Sequence, residues 1–182
     1  MDKALTRSIL ELIEQVSLHI NNIFTEGEFV SIHIVHFEKR KYNTYMKLYL
    51  ETTIFNYYFD EDRDGHDDTL LLFKSIRDGK HEGYTSGYTI TELDETQEPK
   101  RSKMLSLVAE YGLTVLDISE ESDRFASKYV TEGIIPERFR IDGAHIAIAS
   151  LHGLDCLLSY NFRHINKVKT KLLTERVNRE QL

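Results

Sequence analysis

Three carboxylates could do chemistry together. Glu51 closes the short apolar run KLYL, Glu92 lies within TSGYTITEL, and Asp142 opens the small-residue stretch DGAHIAIAS. Each falls at the end of a strand-like run or near the start of a helical one. If the fold gathers them into one cleft they repel, and the cleft must take up protons or a cation to stay ionised. Oxygen-only ligands suit Mg2+ or Mn2+ better than zinc. The chemistry such a site supports is metal-assisted hydrolysis of a phosphodiester, with charge on the phosphate oxygens neutralised and water activated. Spacing alone does not establish proximity: a chain with 30 acidic residues places some of them near strand ends in any case.

The elements that must position these acids can be read in order. KLYLETTIFN reads as a buried strand delivering Glu51 to its C-terminal tip, where open α/β sheets place their ligands. Ile54 to Phe59 suggests a short helix or apolar turn. TLLLFKSIRDG reads as a helix capped by Asp67 or Asp68 and ended by Gly79. Glu82 to Ser86 is a strand, Thr89 to Thr96 a helical turn carrying Glu92, and Pro99 sits at the first turn of KRSKMLSLVAEYG, which Gly112 closes. Thr114 to Ile118 is a further strand, and Ser119 caps a helix with Glu120 and Glu121 in its first turn. After a break at Gly133 to Pro136 comes a helix through Ile141, Ala144, His145, Ile148 and Leu151 that Gly153 ends, with Gly143, Ala144, Ala147 and Ala149 small enough for close approach to a sheet. Cys156 to Ser159 is a buried strand, and Asn161 starts the last helical stretch. Strands alternating with helices predict an α/β domain with a mostly parallel sheet.

Ahead of this lies a different segment. Leu5, Ile9, Leu12, Ile13 and Val16 share one helical face, and Phe29 to Val35 reads as a strand. One helix and one strand cannot bury both their faces alone. The polar run FEKRKYNTY, residues 37–45, reads as a linker, and Met46 opens the organised part as a candidate internal translation start. The expected division is an N-terminal extension and linker over 1–45 and a domain over 46–182.

Composition narrows the class. The chain of 182 residues is 41% hydrophobic and 29% charged, with two prolines, which suits one globular domain with an appendage. No apolar run approaches the roughly 20 residues that span a bilayer, and the N-terminus lacks a signal-peptide pattern, so a cytoplasmic location is expected. The formal net charge of −7 argues against indiscriminate nucleic-acid binding. Charge is uneven, however: Asp60 to Asp68 is acidic, whereas Arg163, Lys167, Lys169, Lys171, Arg176 and Arg179 make the C-terminus basic. That cluster, with Lys100, Arg101 and Lys103, could steer RNA phosphates or be a solvated helix face.

YLETTIFNYYF, TSGYTITEL and DGAHIAIASLHGLDCLLSYNFRHI, taken in that order over about residues 46 to 179, resemble the PIN-domain nucleases, in particular the VapC-type toxins of type II toxin–antitoxin pairs. Ser86, Thr89, Glu92 and Leu93 fit a Ser-x-x-Thr-x-x-Glu-Leu pattern. Asp142, Gly153, the run Leu154 to Ser159, and Asn161 fit the most specific block. The resemblance implies a three-layer α/β/α PIN-like domain whose acids gather at the C-terminal ends of parallel strands. It further implies catalytic Glu51, Glu92, Asp142 and Asn161, the first three holding Mg2+ or Mn2+. The implied activity is RNA hydrolysis by a toxin, with a protein antitoxin and a homodimer as partners. A catalytically silent PIN-like protein- or RNA-binding module is the alternative.

The match departs from the commonest pattern in places. Glu51 stands where Asp is usual, so its carboxylate reaches about 1.5 Å further, one C–C bond. Asn161 occupies the place of a fourth acid and can supply a carbonyl oxygen or orient water without adding charge. No apolar run follows the last helix to make a final strand, so either the sheet is one strand short or Phe29 to Val35 takes an edge. Thr52 and Thr53 can orient ligand or water through their hydroxyls.

Other reactive residues read more plainly. His145, one turn after Asp142, could assist near a metal but reads first as a half-buried packing residue with a satisfied hydrogen bond. His164, three after Asn161, invites the same reading. His33 and His36 fall on opposite faces of a strand, which disfavours a metal pair. Cys156 reads as a buried, inert thiol. Asp60, Asp62, Asp64 and Gly65 reproduce the first half of an EF-hand loop, but Leu71 stands where its bidentate Glu belongs, favouring a solvated acidic loop.

Overall fold

A computed structural model describes residues 31–34, 45–161, 165 and 168–181 of the chain. The expected 4–20 helix, most of the linker, His36 and His164 lie outside the described residues. The elements run β1 (Ser31–Ile34), β2 (Lys47–Leu50), α1 (Thr52–Tyr57), α2 (His66–Arg77), β3 (Glu82–Ser86), α3 (Gly87–Asp94), α4 (Lys100–Glu110), β4 (Thr114–Leu116), α5 (Glu120–Thr131), a 3-10 turn at Glu137–Phe139, α6 (Arg140–Leu151), β5 (Cys156–Ser159) and α7 (Val168–Gln181).

Strand order in the sheet is β1-β5-β2-β3-β4. β2 pairs in parallel with both β3 and β5, and β3 with β4, as the alternation of strands and helices predicts. β1 adds an antiparallel edge, with Ser31 opposite Ser159 and Ile34 opposite Cys156. The edge beside β5 is therefore taken by a strand from the N-terminal segment, within the Phe29 to Val35 run.

Two apolar cores form because successive residues on a strand point to opposite faces. Leu48 and Leu50 of β2 and Cys156 and Leu158 of β5 pack with Ile54, Phe55, Phe73 and Met104 on one side of the sheet. Tyr49 and Leu157 face the other way, against Phe125, Tyr129, Ile146, Ala147 and Val177. Helices thus cover both faces. Cys156 is fully buried in the first core, which raises its thiol pKa and leaves it inert.

Local boundaries follow recognisable chemistry. Ser119 caps α5, accepting from the Ser122 backbone while the Ser122 hydroxyl accepts from the Ser119 backbone. Gly79, Gly112 and Gly153 all adopt positive φ just past helix ends, as expected. Three expectations shift. α2 begins at His66, so Gly65 is its N-cap, and Asp67 and Asp68 lie in the first turn, where they favour the helix dipole rather than cap it. Only glycine serves there: φ is +91°, and a Cβ would sit 2.7 Å from the Tyr160 hydroxyl. Asn161 is not helical, and the last helix begins at Val168. The small residues of α6 serve a helix as well as the sheet, since Gly143 faces Tyr129 and Ala126 of α5.

Candidate functional site

The three central parallel strands end together. Glu51 follows β2 directly and occupies the N-cap position of α1, with its backbone N–H donating to Leu158 O of β5 at 3.4 Å. Ser86 ends β3 and is the N-cap residue of α3, which carries Glu92. Ser159 ends β5, and its hydroxyl accepts from the backbone N–H of Asn161 at 2.8 Å. Asp142 lies in the first turn of α6, the helix that leads into β5.

Glu51 is 4% exposed. Burial raises its pKa, against the opposing pull of the His145 charge and hydrogen bonds from Thr53 and Ser159. Thr53 donates to Glu51 and also accepts the Tyr160 backbone N–H at 2.8 Å, which fixes the hydroxyl between α1 and the end of β5. Thr52 donates to Glu92. Both threonine hydroxyls are thus spent on the acids they neighbour.

Glu92 is held by more than Thr52. Its Oε2 lies 3.0 Å from Nε2 of His145, whose Nδ1 lies 2.7 Å from the Tyr49 hydroxyl. Burial raises the Glu92 pKa, but the hydrogen bond and charge of His145 and the Thr52 hydroxyl outweigh it, and the net direction is down. For His145 burial pushes the pKa down, yet the Tyr49 oxygen, Glu92 and Glu51 carry it up to about 10. The satisfied hydrogen bond expected for His145 is present, but the residue is fully buried rather than half-buried and one of its partners is a candidate site carboxylate. The ring is 1% exposed and bonded at both nitrogens, so it touches a candidate site residue instead of merely filling space.

Asp142 is treated differently. Its Oδ1 accepts from the Asn161 side-chain amide at 3.0 Å. Its Oδ2 is buried and has no hydrogen-bond partner among the described residues. Burial is the first cause of its raised pKa, about 6; the charges of Glu51 and Glu92 add to the rise, while His145 and Asn161 oppose it. Arg140, two residues earlier, does not serve as its partner: its guanidinium is given to the Asp123 carboxylate and carbonyl and to the Ser127 hydroxyl on α5.

The four candidate residues therefore share one neighbourhood at the strand tips. Among the described residues no group of three His, Cys, Asp or Glu side chains is arranged to hold a metal ion. Glu92 turns one oxygen to His145 and Thr52, while Asp142 keeps a buried oxygen without a donor. An orphaned, desolvated carboxylate oxygen costs stability unless something positive meets it. Glu51 is buried nearby, and the three carboxylates offer oxygen donors, the type that hard divalent cations take.

Elsewhere the structure separates features that sequence reading grouped. Lys100 pairs with Asp60 at 2.6 Å, Arg101 with Glu98 at 2.9 Å, Arg176 with Glu132 at 3.4 Å and Arg179 with Glu175 at 2.9 Å. These four cations pair with acids of their own chain, and Arg163 and Lys167 of the same cluster lie outside the described residues. Asp60 of the acidic loop is bound by Lys100 and Arg63, consistent with an ionic surface loop. Tyr49 escaped sequence reading as part of the site. Its signal was available: a tyrosine in the middle of an otherwise aliphatic buried strand must find a partner for its hydroxyl.

The sequence matches no protein-family model, and no curated protein matches it. No helix among the described residues is long and apolar enough to cross a membrane.

Proposed function

We propose that this chain is a divalent-metal-dependent ribonuclease with a three-layer, PIN-like α/β/α domain, acting as the toxin of a toxin–antitoxin pair. The observation that carries the reading is the buried Oδ2 of Asp142, without a partner among the described residues, near Glu51 and Glu92 at the tips of parallel strands. Mg2+ or Mn2+, held by Glu51, Glu92 and Asp142, would supply Lewis-acid stabilisation of the charge that develops on phosphodiester oxygens. The chain's own residues do the positioning. Asn161 orients Asp142 through Oδ1, Thr53 orients Glu51, and Thr52 with His145 orients Glu92. Glu51 is 4% exposed, so bulk water is largely kept from it and a cation there would meet its carboxylate at low dielectric. The sequence resemblance to toxins of type II pairs makes a protein antitoxin and a second copy of the chain the expected partners.

The test is cleavage of RNA by the purified, antitoxin-free protein with Mn2+ or Mg2+. Cleavage should stop with EDTA and with Asp142→Asn. Absence of cleavage in every metal-loaded condition removes the reading.

One observation favours a second reading, a silent module of the same fold. His145 already meets Glu92, as an internal cation would, and the described residues form no ready three-carboxylate cage. Mn2+ titration separates the two. A ligand bound only by the native state at about 100 times its Kd stabilises by about 2.7 kcal/mol. A silent module should show no such rise in melting temperature.

A further inference from the structure

Glu92 belongs to a chain of contacts that no metal-site argument requires. Its Oε2 meets Nε2 of His145 at 3.0 Å, Nδ1 meets the Tyr49 hydroxyl at 2.7 Å, and that hydroxyl meets Ser86 Oγ at 2.6 Å. Tyr49 is fully buried in β2, the central strand, and Ser86 ends β3 beside it. The imidazole is flanked by two rings, Tyr49 at 5.7 Å and Tyr88 at 6.1 Å between centroids. It can neither flip nor swing without losing a bond at one nitrogen.

Apart from His145 and one hydroxyl, that of Thr52, the carboxylate at the far end has no other donor among the described residues. Glu92 sits near the end of the eight-residue α3 with its side chain 37% exposed, and a glutamate carries three rotatable bonds. With imidazole neutral, the pattern has one consistent direction: Nε2–H donates to Glu92, the Tyr49 hydroxyl donates to Nδ1, and Ser86 donates to Tyr49. With both nitrogens protonated the direction beyond His145 reverses, and the bond to Glu92 survives in either form. Thr52 donates to the same Oε2, so both contacts fall on one oxygen.

We infer that His145, anchored by Tyr49 to the central strand, is the positioning residue that fixes Glu92 in the candidate site. This rests on Glu92 being one of the site carboxylates. Outer partners of this kind set ligand orientation, and their loss weakens metal affinity by about 10- to 100-fold. The role is separable from packing. In His145→Gln the amide nitrogen can reach the place of Nε2 and keep the bond to Glu92. In His145→Asn it reaches only the place of Nδ1, so Tyr49 keeps a partner and Glu92 loses one.

The experiment measures Mn2+ affinity of the full chain by thermal shift for wild type, His145→Gln, His145→Asn and Tyr49→Phe, the last keeping the ring and fold. His145→Gln should stay within about threefold of wild type, and His145→Asn should bind about tenfold or more weakly, with Tyr49→Phe between them. Equal losses in the Gln and Asn variants, or none in either, overturn the inference. Nitrogen-15 spectra of the metal-free chain give a readout that needs no metal. The His145 Nε2–H resonance should exchange slowly and move in Glu92→Gln and in Tyr49→Phe. If it exchanges freely or stays put in Glu92→Gln, the inference falls. If it behaves as expected while wild type binds no Mn2+, the positioning of Glu92 stands and the nuclease reading fails.

Discussion

Glu92 and Asp142 stand at the same strand tips and are opposites electrostatically. Glu92 is partly exposed, receives Thr52 and His145 on one oxygen, and has its pKa lowered. Asp142 has one oxygen on Asn161 and the other without a donor among the described residues, and its pKa is raised to about 6. One acid has been neutralised from inside the protein and the other has not. The contrast teaches that burial alone does not decide ionisation: both acids are partly desolvated, and the direct bond from His145 to one against the like charges of Glu51 and Glu92 on the other sets the sign.

The largest expected effect comes from the unsatisfied side. Asp142→Asn should lower metal-dependent RNA cleavage at least about 100-fold, the scale of losing a group that stabilises developing charge. The same variant should make the metal-free protein more stable at pH 8, by roughly 1–3 kcal/mol, because it removes a buried charge whose pKa burial raises from 3.8 to about 6. Urea denaturation in EDTA checks this, and a destabilised Asp142→Asn breaks the comparison. Glu92→Gln should do the reverse in the absence of metal. It takes a carboxylate from a buried imidazole and should cost about 1–2 kcal/mol, discounted for the exposure of the Glu92 side chain.

The pH dependence of stability in EDTA sharpens the same contrast. Asp142 is raised from 3.8 to about 6, so its contribution is full below pH 3.8 and is lost as pH rises through about 6. Glu92 is lowered, so its contribution is present above pH 4.5 and is lost as pH falls through its folded-state pKa. His145 is raised from 6.5 to about 10, and its contribution is full below pH 6.5 and is lost as pH rises through about 10. The Glu92–His145 attraction enters both effects and counts once, while Tyr49 and Glu51 add to His145 separately. Melting temperatures across pH should therefore fall on the alkaline side in wild type and flatten in Glu92→Gln, while Asp142→Asn should remove the loss between pH 4 and 6.

The smallest effect is expected from Asn161→Asp. It replaces the donor on Asp142 Oδ1 by a second acid, which should cost the metal-free protein on the order of 1 kcal/mol and tighten Mn2+ binding. If isothermal titration shows unchanged affinity, Asn161 does not face the cation.

Much of this was legible in the chain. The apolar runs at Lys47 to Leu50 and Cys156 to Ser159 announced central strands, because a strand buried on both faces needs no alternation. Glycines with positive φ past helix ends announced the boundaries. Glu51 at a strand tip followed from the run it closes. The start of α2 and the coil at Asn161 were less legible, since helix ends depend on what they pack against, as Tyr160 over Gly65 illustrates.

The sequence by itself determined the α/β alternation, the parallel central strands and the three acids, because these follow from short-range periodicity and from residues at run ends. Only the tertiary structure decided that Ser31–Ile34 takes the sheet edge beside β5, that His145 meets Glu92, and that Asp142 keeps an oxygen without a donor among the described residues. The reason is distance along the chain. Tyr49 and His145 are 96 residues apart, and Glu92 and His145 are 53, so no local pattern could reveal which hydroxyl and which carboxylate one imidazole would join.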